Sequence, residues 1–408
     1  MFKVARVPAI LAFFVLVVSI FCFLAAPSQG AGKNEILIGT PLPVTGNLGM
    51  EGAECKWAYE EAFKDINAKG GVFVKQYNKK LPLKLVVGDA ESDPGKAAAA
   101  VERLVRVDKV DLLLSTYTLP LGFATAIAAD KFHIYYHLTG TTPDAFREQH
   151  YKWTTDYFIS MQKLGDAPFE CLLSIPAAER PKNVALCMED TADGRIVIKF
   201  FQDAAKRHKV DIAMEEPLAA DAKDYTAQIM KLKAKNIDAV ISMTSSTDWV
   251  TLVRQSKEND FNVKFFYGIK GTWGTEFAKA LGKDSQYVFA DGFWSESYPY
   301  PMAKELGERY FQRYNKHSVS IGLWYAMCQT LAAAIEKAGT VDSAKVLEAV
   351  LNTPFKDTVM GDIKYNPADG TGIANPTANQ WIDGQLKLVW PFGKGASKVE
   401  VAPPWDKR

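Results

Sequence analysis

Apolar and polar positions along this chain alternate in two periods. Short runs rich in Val, Ile and Leu predict strands: Glu35 to Gly39, Leu81 to Val87, Val110 to Leu114 and His133 to His137. Between them, Ala53 to Asn67, Pro94 to Val107 and Leu119 to Asp130 read as helices. Strand, helix, strand repeated in this way predicts an open, mostly parallel sheet flanked by helices. After Trp153 the pattern restarts. Helices are expected at Met161 to Ile175, Gly194 to His208, Tyr225 to Lys235 and Thr247 to Asn259. Strands are expected at Asn183 to Met188, Asp211 to Met214, Asp238 to Met243 and Val263 to Tyr267. The result is a second α/β lobe. Val288 to Trp294 follows as a strand, Tyr298 to Tyr314 and Val319 to Ala338 as helices, and Trp381 to Val389 as an edge hairpin.

The first thirty residues stand apart. Lys3 and Arg6 precede an apolar run from Ile10 to Ala26, and Pro27, Ser28, Gln29, Gly30 and Ala31 follow. This is the order of a signal peptide over residues 1–30, with cleavage near Gly30 or Ala31 and a periplasmic destination. Phe21 is too bulky for Cys22 to be a lipid-anchor site. The remainder is long enough for two ordinary domains. Removing Lys3 and Arg6, two positive charges, takes the formal charge from +1 to −1, which argues against nucleic acid as a partner. Cys55, Cys171, Cys187 and Cys328 match no zinc spacing. Export permits a Cys171–Cys187 bridge, and burial as free thiols is the alternative.

Candidate chemistry gathers at Ser115 to Thr142. Thr118 sits where a helix should begin, with Pro120 in its first turn. A helix start carries free N–H groups and partial positive charge. The next strand runs into a second hydroxyl-rich turn, Thr139-Gly140-Thr141-Thr142. Two such turns at one sheet edge make a cradle of carboxylate size. The glycines between Pro41 and Gly52 do not fit a nucleotide fingerprint. G-x-S-x-G and H-E-x-x-H are missing from the sequence, and the five histidines are scattered, so the expectation is a protein without catalysis, cofactor or metal.

The segments IGTPLPVTG, DINAKGGV, VVGDAESDPGKAAAAVERLV and KVDLLLS, in this order and spacing, resemble the periplasmic branched-chain amino acid-binding proteins of ABC transporters. These are class I solute-binding proteins of the leucine/isoleucine/valine type. The resemblance implies a two-lobed α/β fold with three crossovers, near Tyr157, Phe293 and Thr371. Lobe one would then be 33–156 plus 293–370, and lobe two 157–292 plus 371–408. It implies a monomer that captures a small carboxylate-bearing solute, an amino acid or an aromatic or other organic acid, in the cleft. Delivery would be to a permease and ATPase at the inner membrane. A sensing module for a membrane receptor, or a hydrolase on the same scaffold, are the alternatives.

Carried over position by position, the resemblance assigns Thr118, Thr139 and Thr141 to the ligand carboxylate. Lys270, in Gly268-Ile269-Lys270-Gly271, stands where amino-acid binders place the acid that takes the ammonium. A lysine there would repel an amine. Glu51 and Asp193 fall where tyrosines are frequent, and either acid could pair with Lys270. Tyr117, Trp249, Trp273 and Tyr136 fall near the expected cleft, where rings would suit a flat ligand, whereas Trp324 and Phe311 read as core.

Overall fold

The computed structural model describes residues 32–408; the leader expected at 1–30, with Cys22, lies outside the described residues. The strands in chain order are β1 (Ile36–Leu42), β2 (Val72–Val74), β3 (Lys79–Leu81), β4 (Leu83–Asp89), β5 (Leu112–Leu114), β6 (Tyr136–Leu138) and β7 (Thr154–Ile159). Then come β8 (Val184–Met188), β9 (Ile212–Glu215), β10 (Ala239–Met243), β11 (Phe265–Ile269) and β12 (Phe289–Gly292). The last five are β13 (Phe355–Thr358), β14 (Gly361–Ile363), β15 (Thr371–Ala374), β16 (Thr377–Ile382) and β17 (Gln385–Trp390). The helices used below are α1 (Gly49–Ala68), α2 (Pro94–Arg106), α3 (Leu119–Phe132), α4 (Pro143–Arg147), α5 (Met161–Ser174), α6 (Ala192–His208), α7 (Thr226–Ala234), α8 (Ser246–Glu258), α9 (Thr275–Leu281), α10 (Ala303–Tyr314) and α11 (Ile321–Ala338).

Six strands form the first sheet, in the order β15-β7-β6-β5-β1-β4, all parallel. The second has seven, β17-β16-β12-β11-β10-β8-β9, parallel except for the antiparallel β12–β16 and β16–β17 pairs. Parallel neighbours need a crossover, and the intervening helices supply it on both faces. That is why β8, β10 and β11 are buried along their whole length and read as apolar runs. One face of the second sheet packs Phe169, Phe201, Tyr267 and Trp390, and the other Tyr225, Trp249, Phe266 and Trp381.

Strand order marks where each sheet should bind. The chain moves from β1 to β4 on one side and then through β5, β6 and β7 on the other, so direction reverses between β1 and β5. In the second sheet it reverses between β8 and β10. Crevices beyond the carboxyl ends of such strands are the binding positions of open α/β sheets.

The structure corrects several expectations. Residues 154–159 and 371–374 are whole strands of the first sheet, paired with each other from Thr371–Asp156 to Ala374–Ile159. These strands carry the chain along that sheet as far as Ile159 and Ala374. Only Ala303 to Tyr314 of the helix expected from Tyr298 forms. Phe311 is 41% exposed and lies against His317. The four cysteines among the described residues are free and buried. Cys171 and Cys187 belong to cores on opposite faces of the second sheet, so no bridge joins them.

Candidate functional site

Half of the described α-helices begin with a side-chain cap. Asp93, Ser160, Thr191, Ser245 and Asp342 each have extended backbone and accept a hydrogen bond from an N–H in the first turn. Thr118, at the start of α3, does not. Its φ is 70° and ψ 155°, its side chain makes no capping bond, and its buried hydroxyl has no partner among the described residues. Such backbone is costly for a residue with a Cβ, about 1–3 kcal/mol, and persists where surrounding structure enforces it. It leaves both the hydroxyl and the first N–H groups of α3 uncommitted at the first sheet's reversal point.

The second hydroxyl turn is different. Thr139 donates its hydroxyl to the Tyr157 carbonyl, while its N–H reaches Ser115 Oγ at 3.1 Å. It ties β6 to β7 and the end of β5, and holds nothing in reserve. Thr141 is fully buried close to Asp156, and its hydroxyl, like that of Thr118, has no partner among the described residues. Burial raises the Asp156 carboxyl well above the usual range, with Thr141 opposing the shift.

Tyr117 and Trp324 lie beside Thr118. Their rings are 6.0 Å apart, and a Cβ on Gly140 would come 3.5 Å from the Trp324 ring. Trp324 is core, as the sequence suggested, at 2% exposure, and its ring edge borders the turn. Tyr117, whose phenol is pushed up by burial, also feels Glu51, Glu54 and Asp291. Asp291 belongs to β12, so these groups bring the two sheets together around one place. Glu54 accepts from the Ser320 hydroxyl at 2.8 Å and from that of Ser318, and burial raises its carboxyl.

Across the cleft, Lys270 follows β11 with φ 60°. Its Nζ is 3.1 Å from Glu189 Oε1, and its backbone N–H donates to Asp291 at 3.0 Å. Glu189, at the end of β8, is the partner; Glu51 and Asp193 are not. Its side chain is only 6% exposed while that of Lys270 is 50%. Burial pushes Asp291 up to about 7, against the Lys270 N–H.

Asp193 lies exposed in the first turn of α6. Trp249 is 0% exposed, edge-on to Phe266, and belongs to the core beneath α8. Tyr136 is equally buried and accepts from the Thr116 N–H. Trp273 is half-buried, 6.2 Å from Phe293. His137 is a buried strut between Tyr135 and Thr330, its pKa lowered to about 3 by burial. The structure thus brings together Glu51, Tyr117 and Thr118, beside the core ring of Trp324, with two groups that sequence reasoning missed, Glu54 and Asp291. Both left a trace: Glu54 is one helical turn beyond Glu51, and Asp291 interrupts an apolar strand.

Residues 35–385 match the family model described as periplasmic binding protein. Leu/Ile/Val-binding protein homolog 7 of Brucella suis is 22% identical over 406 residues, covering 92% of this chain and 96% of its own. The substrate-binding protein of a branched-chain amino acid transporter from Streptococcus pneumoniae, in complex with isoleucine, superposes with a TM-score of 0.68 at 20% identity, over 86% of this chain and 98% of its own. A solute-binding protein of an ABC transporter from Rhodopseudomonas palustris, in complex with 3,4-dihydroxybenzoic acid, gives 0.68 at 16%, over 92% and 100%. With a family of solute binders rather than catalysts matching nearly its whole described length, this chain belongs to the periplasmic binding protein family.

Proposed function

We propose that the chain captures a small carboxylate-bearing solute between the carboxyl ends of its two sheets and delivers it to the permease of an ABC importer. The observation that carries this reading is Thr118: left-handed backbone, a free hydroxyl and the open start of α3 at one point. Tyr117 and Trp324 flank the bound molecule, and Glu51 and Asp291 stand within electrostatic reach of Tyr117. Lys270 is charge-compensated by Glu189, so it is no barrier to a ligand amine. One similar protein binds isoleucine and another 3,4-dihydroxybenzoate, and both ligands carry the group that Thr118 is suited to hold. In this reading lobe one is 32–159 with 293–374, lobe two is 160–292 with 375–408, the protein acts as a monomer in the periplasm, and residues 1–30 are its leader.

A thermal-shift screen of protein stripped by unfolding and refolding tests this. Leucine, isoleucine, benzoate and 3,4-dihydroxybenzoate are compared with their amides. A ligand at about a thousand times its Kd adds roughly 4 kcal/mol, several degrees in Tm. A shift by one acid and not by its amide supports the carboxylate reading. Equal shifts by acid and amide, or no shift by any carboxylate in a wider panel, would overturn it.

A further inference from the structure

A cavity of about 450 Å³ lies on the other side of the molecule's waist, where the chain passes between the sheets. Tyr157 of β7, Asn375 between β15 and β16, and Pro391 after β17 line it, together with Tyr298, Tyr300 and Asp357. Its volume is in the range of small-molecule sites. Tyr157 and Tyr298 are 4% and 9% exposed as whole residues, and both line the cavity. The Tyr298 and Tyr300 rings are 5.2 Å apart, and Tyr300 lies over Gly361, where an added Cβ would come 2.7 Å from the ring carbon bearing its hydroxyl. Burial raises the Tyr157 and Tyr298 phenols, and the nearby Tyr300 adds to both shifts.

The charge of the lining has one sign. Asp357 and Asp362 are the charged residues of the wall, and no basic residue lines it. Lys356 neutralises Asp362, and Lys163 engages the Asn375 carbonyl from outside the lining. The Asp357 carboxylate has no ion-pair partner among the described residues. Ring faces, phenol oxygens and one uncompensated carboxylate together recognise a cation bearing N–H donors.

We propose that this cavity is a second ligand site, separate from the cleft, which takes a small organic primary ammonium ion. The phenol oxygens and Asp357 accept its N–H groups, and Met360, Ile373 and Pro391 cover its apolar part.

Isothermal titration of the full chain with n-butylammonium, tetramethylammonium and n-butanol tests it at low ionic strength. Butylammonium should bind, with butanol silent and tetramethylammonium at least about fivefold weaker for want of N–H donors. Asp357→Asn should weaken butylammonium about tenfold and Tyr298→Phe about threefold. Both variants should fold: Asp357 has φ 54°, which asparagine adopts readily, and phenylalanine keeps the Tyr298 ring. No heat from butylammonium at about 10 mM, equal binding of tetramethylammonium, or indifference to both substitutions would each overturn the proposal.

Discussion

The turn at Thr118 and the turn at Lys270 are linked through Asp291, which lies near Tyr117 and accepts the Lys270 N–H, and both hold left-handed backbone at a residue other than glycine. They differ in what they have left to offer. The first is polar and uncommitted, with a free hydroxyl and an unfilled helix start. The second is charged and already satisfied, because Lys270 reaches Glu189 with its side chain and Asp291 with its N–H. A charge in a cleft is therefore no guide to what the cleft binds. What matters is whether its field is compensated before the ligand arrives.

The sharpest test of the compensated side is Asp291→Asn. Burial holds Asp291 at about 7, whereas an unfolded aspartate titrates near ~3.9. The native state therefore binds more protons between these values, and the wild type loses stability as pH rises from about 4 through 7. Asparagine removes that slope while still accepting the Lys270 N–H. Thermal unfolding should show the variant equal to wild type at pH 4 and more stable at pH 8, by of the order of 4 kcal/mol. Parallel curves would mean that Asp291 is ionised in the fold throughout.

Lys270→Glu comes next. It sets a second acid beside the nearly buried Glu189. Because Lys270 is half exposed, water screens the pair, and the expected loss is about 2 kcal/mol in urea unfolding rather than the 3–5 of a fully buried pair. A neutral result would show that the pair does not order the turn. On the uncommitted side, Thr118→Gly should part stability from binding. Relief of strained backbone raises stability by about 1 kcal/mol, while loss of the hydroxyl weakens the carboxylate ligand about tenfold. A variant that loses both would make Thr118 an ordinary structural cap. Trp249→Phe should leave ligand affinity unchanged, since the ring packs beneath α8; any clear change in Kd would reopen its assignment to the core.

What was legible in the sequence follows from the range of each interaction. Alternating apolar runs and helical periods are local, so the order of strands and helices could be read directly, as could the special position of Thr118 between β5 and α3. The strands at 154–159 and 371–374 are short and polar, Thr-Thr-Asp-Tyr and Thr-Gly-Ile-Ala, and become strands by pairing with each other across the fold. The Lys270–Glu189 pair was missed for the same reason: β10 lies between the strands that bring its members together. Trp249 misled because the first turn of a helix after a strand can send a large ring toward the cleft or under the helix. Only the packing of α8 on Phe266 decides which.

The pairing of β15 with β7 and of β16 with β12 bears on how the molecule reaches this shape. Each sheet takes strands from well-separated parts of the chain: β7 waits for Thr371–Ala374, and β12 for Thr377–Ile382. A fragment stopping near residue 292 would leave β7 and β12 as raw edges, open to unwanted pairing. Contacts that close such long loops form late, which makes for slow folding. Under the periplasmic reading proposed above, in which the chain crosses a membrane before it folds, that slowness keeps the chain unstructured for longer while it is handed across.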